Sequence, residues 1–209
     1  MGSSFSVDIK QIRKYLKHNF SGPDAVNALR QRTMVHWLYP EIDPLSRQTL
    51  GAYEKISELL NIPSNFNMLD VGCMCGFLKH YLDQRIKYNF GYVGIDRWPE
   101  AIDVAKEFLP KDNFLVRDFV TEEIEGSFDY VVMANILFKE NLTEIFRKSI
   151  MLSRKAFIFS IPVHGENLTQ TGILRTENII VALLSCANIL GFKAEQFECG
   201  ESVLIKVNK

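Results

Sequence analysis

Two acidic residues stand where an apolar run gives way to a turn. Asp70 lies in the run 68–71, which the small residues Gly72 and Gly76 follow, and Asp96 ends a second apolar run twenty residues after Gly76. A glycine turn lets the backbone approach a ligand closely because no Cβ intervenes. A carboxylate at the end of the second strand offers two acceptor oxygens to the two hydroxyls of a ribose. These residues therefore predict a site for an adenosine-type cofactor.

The spacing of the glycines decides which cofactor is expected. A dinucleotide fold would use Gly-x-Gly-x-x-Gly to seat a pyrophosphate on a helix N-terminus, whereas this chain has Gly72-x-x-x-Gly76. The stretch from Asp70 to Gly76 resembles the first motif of the class I, seven-stranded S-adenosylmethionine-dependent methyltransferases, roughly Asp-x-Gly-x-Gly-x-Gly. Met74 occupies the position of the middle glycine. The resemblance covers residues 67–207 and implies S-adenosylmethionine as cofactor and S-adenosylhomocysteine as product.

The resemblance assigns roles at the methionine end of the cofactor. It implies that Asp70 orients the methionine part, often through water or loop amides. It also implies that Gly72, Cys73 and Gly76 offer backbone to the amino-acid part. A residue such as Asp70 can instead cap loop N–H groups, and that alternative stays open.

The nucleoside end is assigned in the same way. Arg97 follows the ribose carboxylate and, with Trp98, could flank the adenine with flat apolar surface; a surface position for Arg97 is the alternative. The resemblance implies that Asp118 accepts a hydrogen bond from the adenine amino group and that Phe119 contributes a backbone N–H. Asp118 could also be an ordinary loop acid.

The sequence motifs on the side of the methyl acceptor are less specific than those of the cofactor site. Residues 128–133 carry the family's recurrent Phe-Asp-x-Val element, and the resemblance places the exit of that strand, Ala134 and Asn135, beside the sulfonium. His164, in the loop after the fifth strand, could take a proton from a substrate, because imidazole titrates near neutral pH. Asn135 could be a turn residue and His164 a surface histidine. Weaker candidates in the N-terminal segment are His36, Trp37 and Tyr39.

Two patterns are absent. The Asn-Pro-Pro-Tyr strand exit of amino-directed DNA methyltransferases does not occur, nor does the acid that metal-dependent catechol-type enzymes carry at a strand exit. We therefore predict no metal. The reaction implied is an in-line displacement, in which the protein mainly aligns nucleophile, methyl carbon and sulfur. His164 and Asn135 are the candidate catalytic residues.

The elements that position these residues alternate from residue 67 onwards. Alternating strands and helices favour a parallel sheet with right-handed crossovers. Residues 192–199 and 202–207, joined by Gly200-Glu201, predict a hairpin that adds an antiparallel edge strand. The resemblance implies a sheet of seven strands with the last one inserted antiparallel. We predict strands at 67–71, 91–95, 113–116, 128–133 and 155–160, and helices at 76–87, 98–109, 141–150 and 175–190.

The fold class predicted is thus α/β: a Rossmann-like, mostly parallel seven-stranded sheet with an antiparallel C-terminal hairpin strand. Helical spacing before the sheet predicts a first helix ending near Ser21, a second over 25–37 and a third over 45–60. The resemblance implies that such an extension covers the cofactor. We expect one domain, 1–209, with a helical cap at 1–62 and a cofactor-binding core at 67–209.

Bulk composition narrows the function classes. The 209 residues carry 24 basic and 25 acidic side chains and a net charge of −1, so no large basic field favours nucleic acid as partner. No apolar run reaches the roughly 18 residues of a membrane span, and no signal peptide is evident. Four cysteines suggest neither a disulfide framework nor zinc. A cytoplasmic protein fits best; the oligomeric state is open.

Three functions follow, in decreasing order of support. The first is methyl transfer from S-adenosylmethionine to an oxygen or nitrogen of a small molecule. The second is a non-catalytic S-adenosylmethionine-binding member, which Met74 in place of the middle glycine keeps open. The third is an NAD-dependent oxidoreductase, against which the glycine spacing and the terminal hairpin argue.

Overall fold

A seven-stranded sheet forms the centre of the molecule. The structure is a computed structural model that describes residues 23–38, 44–60, 64–136, 141–163 and 176–209. The strand order is β3-β2-β1-β4-β5-β7-β6, and all pairs are parallel except those made by β7. The strands are β1 (Phe66–Val71), β2 (Phe90–Asp96), β3 (Asn113–Val116), β4 (Phe128–Ala134), β5 (Ser153–Pro162), β6 (Lys193–Cys199) and β7 (Ser202–Asn208).

Strand β1 lies between β2 and β4, where the strand order reverses. Asp70 pairs in register with Gly94 on one side and Val132 on the other. The turns after β1 and β2 therefore emerge side by side at the carboxyl edge of the sheet, which is where ligands of open α/β sheets bind. The predicted fold class is confirmed.

The hairpin differs from the prediction in one respect. The antiparallel strand is the last one, β7, inserted as the resemblance implies, but it lies between β5 and β6 and not at the edge. The reason lies in the side chains: β7 is largely buried and apolar, whereas β6 is mostly exposed and carries Lys193, Glu195 and Glu198. Charged side chains suit an edge strand because they discourage pairing with another sheet.

Six helices among the described residues cover the two faces of the sheet. We call the side packed by α1 to α4 the first face and the side packed by α5 and α6 the second face. Crossovers from β1 and β2 supply α3 and α4, and the N-terminal segment supplies α1 and α2. The helices are α1 (Pro23–Leu38), α2 (Pro44–Leu60), α3 (Phe77–Asp83), α4 (Pro99–Phe108), α5 (Leu142–Leu152) and α6 (Thr176–Ile189).

Helix α3 is shorter than predicted. It ends at Asp83, and the N–H groups of Arg85 and Ile86 both donate to the carbonyl of Leu82. This turn brings Ile86 into the core, where it is buried, so the apolar spacing beyond residue 83 reflects a turn rather than more helix. The predicted first helix before Ser21 lies outside the described residues, and the division of the chain into cap and core stays a prediction.

Helix α2 packs directly on the terminal hairpin. A Cβ added to Gly51 would lie 2.5 Å from the carbonyl oxygen of Cys199, so only glycine permits this approach. All four cysteines are free and buried. No helix in the described ranges is long and apolar enough to cross a membrane.

Candidate functional site

The turn after β1 is built on left-handed backbone. Gly72, Met74 and Gly76 have φ angles of 72°, 48° and 77°, the region that glycine adopts most easily. A Cβ on Gly72 would lie 2.6 Å from Cδ1 of Ile136, so a larger residue at position 72 would require the Ile136 side chain to shift. Met74 adopts the conformation that a glycine would adopt there, so the departure from the family motif leaves the turn intact.

The amides of this turn bond to the neighbouring strand. The N–H groups of Gly72 and Cys73 both donate to the carbonyl of Ile95, at 2.8 and 3.1 Å, and the N–H of Gly76 donates to the carbonyl of Cys73 at 2.9 Å. These amides are therefore engaged within the protein. What Gly72 and Cys73 can offer a ligand from the backbone is carbonyl oxygen, which suits an ammonium group.

Asp96 is held by two backbone amides. The N–H of Met74 donates to Oδ2 at 3.0 Å and the N–H of Trp98 donates to Oδ1 at 2.9 Å. Each carboxylate oxygen has two acceptor sites, so each keeps one for a ligand. Burial raises the pKa of Asp96, while backbone amide hydrogen bonds and the charge of Arg97 favour its ionised form. The carboxylate is thus fixed in orientation at the tips of β1 and β2, beside the glycine turn.

Asp70 lies beneath that turn. Only 2% of Asp70 is exposed, and Oδ2 accepts a hydrogen bond from the hydroxyl of Tyr92 at 2.8 Å. Burial raises the pKa of Asp70 to about 7, against the lowering effect of that hydrogen bond and with a contribution from the charge of Asp96. Because this carboxyl is partly ionised near neutral pH, a cation bound next to it would increase the ionised fraction.

Gly94 makes room for this arrangement. A Cβ at Gly94 would lie 2.7 Å from Phe114 Cδ1, 2.8 Å from the hydroxyl of Tyr92 and 2.9 Å from Sγ of Cys73. The missing side chain lets the tyrosine hydroxyl and the thiol approach Asp70. Burial raises the pKa of Cys73 and raises that of Cys75 to about 11, so both thiols stay protonated at neutral pH.

The loop after β3 carries the predicted adenine contacts. Asp118 is half-buried, and its Oδ1 accepts a hydrogen bond from the N–H of Val120 at 2.8 Å. The ring of Phe119 is buried in the second-face core. The loop adjoins Asp96, because the N–H of Arg117 donates to the Asp96 carbonyl at 2.9 Å. Arg97 is exposed next to that carboxylate.

Asn135 follows β4 on the opposite side of the glycine turn. Its backbone is left-handed, with a φ of 55°. The side-chain Oδ1 accepts hydrogen bonds from the hydroxyls of Ser160 at 3.1 Å and Ser202 at 3.4 Å. The backbone N–H of Asn135 donates to Ser160 Oγ at 3.0 Å. Among the described residues no acceptor partners the buried Nδ2 atom. Ala134 and Ile136 flank it, and Ile136 touches the glycine turn.

The structure thus brings most predicted site residues to one edge of the sheet: Asp70, Gly72, Cys73, Gly76, Asp96, Arg97, Asp118, Phe119, Ala134 and Asn135. His164 and Tyr39 lie outside the described residues, and so do the side chains of His36 and Trp37 in α1. Within the described ranges no group of three or more His, Cys, Asp or Glu residues is placed to hold a metal ion.

Sequence reasoning overlooked three residues at this edge: Tyr92, Ser160 and Lys148. Tyr92 had a signal, because a tyrosine in a buried strand needs a hydrogen-bond partner for its hydroxyl. Ser160 ends the predicted fifth strand and pairs with Ala134, but no pattern links it to Asn135. Lys148 lies on α5, and nothing near it in the sequence marks it.

Comparison with known proteins finds similarity to methyltransferases over part of the chain. Residues 69–150 match the family model described as a methyltransferase domain. Protein 235L of Invertebrate iridescent virus 6, which is named as a methyltransferase candidate, is 36% identical over 73 residues. That stretch covers 35% of this chain and 27% of the viral protein, so the similarity spans about a quarter of that protein's length.

Solved structures show the same fold. A TehB-like S-adenosylmethionine-dependent methyltransferase from Corynebacterium glutamicum is 18% identical with a TM-score of 0.64, covering 90% of this chain and 100% of that chain. An O-methyltransferase family protein from Burkholderia thailandensis is 12% identical with a TM-score of 0.67, covering 95% and 62%. The N-methyltransferase NodS from Bradyrhizobium japonicum is 15% identical with a TM-score of 0.57, covering 78% and 97%.

The chain therefore has the Rossmann-like fold of these solved methyltransferases. More particularly, residues 69–150 are similar to a methyltransferase domain, and this similarity together with the structural neighbours implies S-adenosylmethionine as the cofactor. The predicted family resemblance and cofactor are confirmed at this level.

Proposed function

We propose that this protein transfers the methyl group of S-adenosylmethionine to an oxygen or nitrogen of a small molecule. The observation that carries the proposal is the carboxylate of Asp96, which the amides of Met74 and Trp98 hold in place beside the glycine turn. With one free acceptor site on each oxygen, it suits the two hydroxyl donors of a ribose.

The methionine end of the cofactor would lie over the turn after β1. The carbonyls of Gly72 and Cys73 would receive its ammonium group, and Asp70 beneath them would supply negative charge. Because the pKa of Asp70 is about 7, a bound cation would favour its ionised form. At the other end, Asp118 and Phe119 would contact adenine, with Arg97 and Trp98 beside it.

The acceptor would enter on the side of β4. The amide Nδ2 of Asn135 is buried with its oxygen already engaged by Ser160 and Ser202, so its two N–H groups can orient an acceptor or the methionine carboxylate. His164 remains a candidate base. The sulfonium activates its own methyl group, so alignment of the reacting atoms is the main task of the protein.

Support for a small acceptor is compositional: the net charge is −1 and no basic field is present. The fold does not choose between oxygen and nitrogen, since one structural neighbour is named for N-methyl transfer and another for an O-methyltransferase family.

Calorimetric titration tests the cofactor. We expect S-adenosylmethionine and S-adenosylhomocysteine to bind and NAD not to bind. Asp96→Ala should weaken S-adenosylhomocysteine roughly a hundredfold, because two charge-assisted hydrogen bonds are lost. Asp103→Ala, which removes an exposed acid from α4, is the matched control and should leave the affinity unchanged. Equal affinity for Asp96→Ala and wild type would contradict the assignment.

Transfer of a labelled methyl group to a metabolite extract tests the activity. Labelled product that depends on the protein supports the enzyme. Tight binding of S-adenosylmethionine without any transfer to oxygen or nitrogen would instead favour the non-catalytic alternative. Met74 has a left-handed φ of 48° and its N–H donates to Asp96, which supports a binding-competent turn in both readings.

A further inference from the structure

Lys148, on α5, reaches across to the loop that follows β3. Its ammonium donates to the carbonyl of Phe119 at 2.6 Å and to the carbonyl of Glu122, and it lies 4.6 Å from the centroid of the Phe119 ring. The two bonds connect residues 29 and 26 positions apart in the chain. A helix of the second face therefore holds the backbone of the predicted adenine loop.

The loop has its own internal bonds. The N–H of Glu122 donates to the carbonyl of Asp118 and the N–H of Asp118 donates to the Glu122 carboxylate, both at 2.9 Å. These bonds close the turn on itself. They set its shape but not its orientation relative to the sheet, for which contacts with other elements are needed.

One peptide group links Lys148 to the carboxylate of Asp118. The carbonyl of Phe119 accepts from Lys148, and the N–H of the same peptide, which belongs to Val120, donates to Asp118 Oδ1 at 2.8 Å. In a trans peptide the carbonyl and the N–H point in opposite directions. Lys148 on one side and Asp118 on the other thus fix the plane of this peptide between them.

We infer that Lys148 is a positioning residue for cofactor recognition: by holding the Phe119–Val120 peptide, it orients the Asp118 carboxylate toward the adenine amino group. The inference rests on the proposed function. Oδ1 of Asp118 is engaged by Val120, which leaves Oδ2 for the ligand. The buried ring of Phe119 anchors the loop inward, and the ammonium of Lys148 covers that ring.

The test uses variants of the full chain and two ligands. Lys148→Met keeps an unbranched apolar side chain over the Phe119 ring and removes the ammonium. Lys148→Arg restores donors to the carbonyls. Arg147→Met removes a neighbouring exposed cation of α5 and is the matched control. The ligands are S-adenosylhomocysteine and S-inosylhomocysteine, which replaces the 6-amino donor by an oxygen; both are titrated calorimetrically.

We expect wild type to prefer S-adenosylhomocysteine by about tenfold or more, because the inosine oxygen would face the Asp118 carboxylate. Lys148→Met should lose about tenfold in affinity for S-adenosylhomocysteine and most of that preference. Lys148→Arg should recover most of both, and Arg147→Met should match wild type. Loss of preference separates positioning from a general loss of stability, which would weaken both ligands alike.

Amide hydrogen exchange supplies the second readout. In Lys148→Met the N–H groups of Val120 and Glu122 should exchange faster while those of β1 do not change. A folded Lys148→Met protein with wild-type affinity and preference would overturn this inference alone. Equal weakening of both ligands with faster exchange throughout the domain would also overturn it. Failure of wild type to bind S-adenosylhomocysteine would overturn the proposed function and this inference together.

Discussion

The two faces of the sheet differ in what they bury. The first face, under α1 to α4, contains Asp70, Tyr92 and Lys79 together with two cysteines near the glycine turn. The second face, under α5 and α6, is a continuous apolar core in which Cys186 is the one buried titratable side chain among the described residues. The same sheet thus separates a side with buried charged groups from a mainly apolar side.

This difference indicates which face contributes mainly to the stability of the fold and which face also contributes to the candidate site. Burying a polar group is costly unless it is hydrogen-bonded, and each first-face group has such a partner: Tyr92 for Asp70, and Asp83 and Asp112 for Lys79. The second face contributes mainly through apolar packing, and its buried Ser149 donates a hydrogen bond to the carbonyl of Ile145. Changes in the apolar core of the second face should therefore mainly reduce stability, whereas changes around Asp70 on the first face should also alter ligand binding and pH dependence.

The largest effect is expected on the second face. Phe159 is fully buried and its ring centroid lies 5.2 Å from that of Phe146. Phe159→Ala should lower the free energy of unfolding by about 3–5 kcal/mol in denaturant titration. Val181→Ala on α6, where the side chain is 61% exposed, is the control and should change it by less than about 0.5 kcal/mol. A loss below about 1 kcal/mol for Phe159→Ala would break the comparison.

The next effect is a pH dependence on the first face. The folded pKa of Asp70, about 7, lies above the unfolded value of about 3.9. The protonated form is therefore favoured by folding, and its stabilisation is complete below about pH 4 and lost as pH rises through about 7. Because Asp70→Asn stays neutral, its free energy of unfolding relative to that of wild type should rise between these pH values, by at most about 4 kcal/mol. Unfolding titrations at about pH 5 and about pH 8 measure the gain.

Asp129, at the opposite end of the sheet, should show the reverse sign. Burial raises its pKa, but the N–H of Asn67 and the charges of Lys155 and Arg154 together bring the pKa below its usual range. Its stabilisation is present above the unfolded pKa and lost as pH falls. Asp129→Asn should therefore cost stability near neutral pH and not in acid. The same sign for both variants would contradict the assignment.

A smaller effect separates two glycines of β2. Gly94→Ala places a methyl group within 3 Å of Phe114, Tyr92 and Cys73, whereas Gly91→Ala meets its nearest atom, Cβ of Asn67, at 3.4 Å. We expect Gly94→Ala to cost about 1–3 kcal/mol of unfolding free energy through overpacking and to weaken S-adenosylhomocysteine. Gly91→Ala should do neither. Equal effects of the two variants on stability and on affinity would show that the missing side chain at Gly94 is not needed for the packing around Asp70.

Local patterns were enough to predict the first motif, the order of elements and strand β3 over residues 113–116. Apolar periodicity and turn residues determine those features within a short window. The pair of Tyr92 and Asp70 depends on strand register, and the contact of Lys148 with the loop after β3 depends on how a distant helix packs. The position of β7 inside the sheet depends on which hairpin strand is more apolar. None of these three features can be predicted from a short stretch of sequence.

A crystal structure with S-adenosylhomocysteine tests the central claim most directly. We predict that the nucleoside lies over the tips of β1 and β2 and that both ribose hydroxyls donate to Asp96, with oxygen–oxygen distances of about 2.5–2.8 Å. A nucleoside bound elsewhere, or ribose hydroxyls more than about 3.5 Å from that carboxylate, would contradict the account.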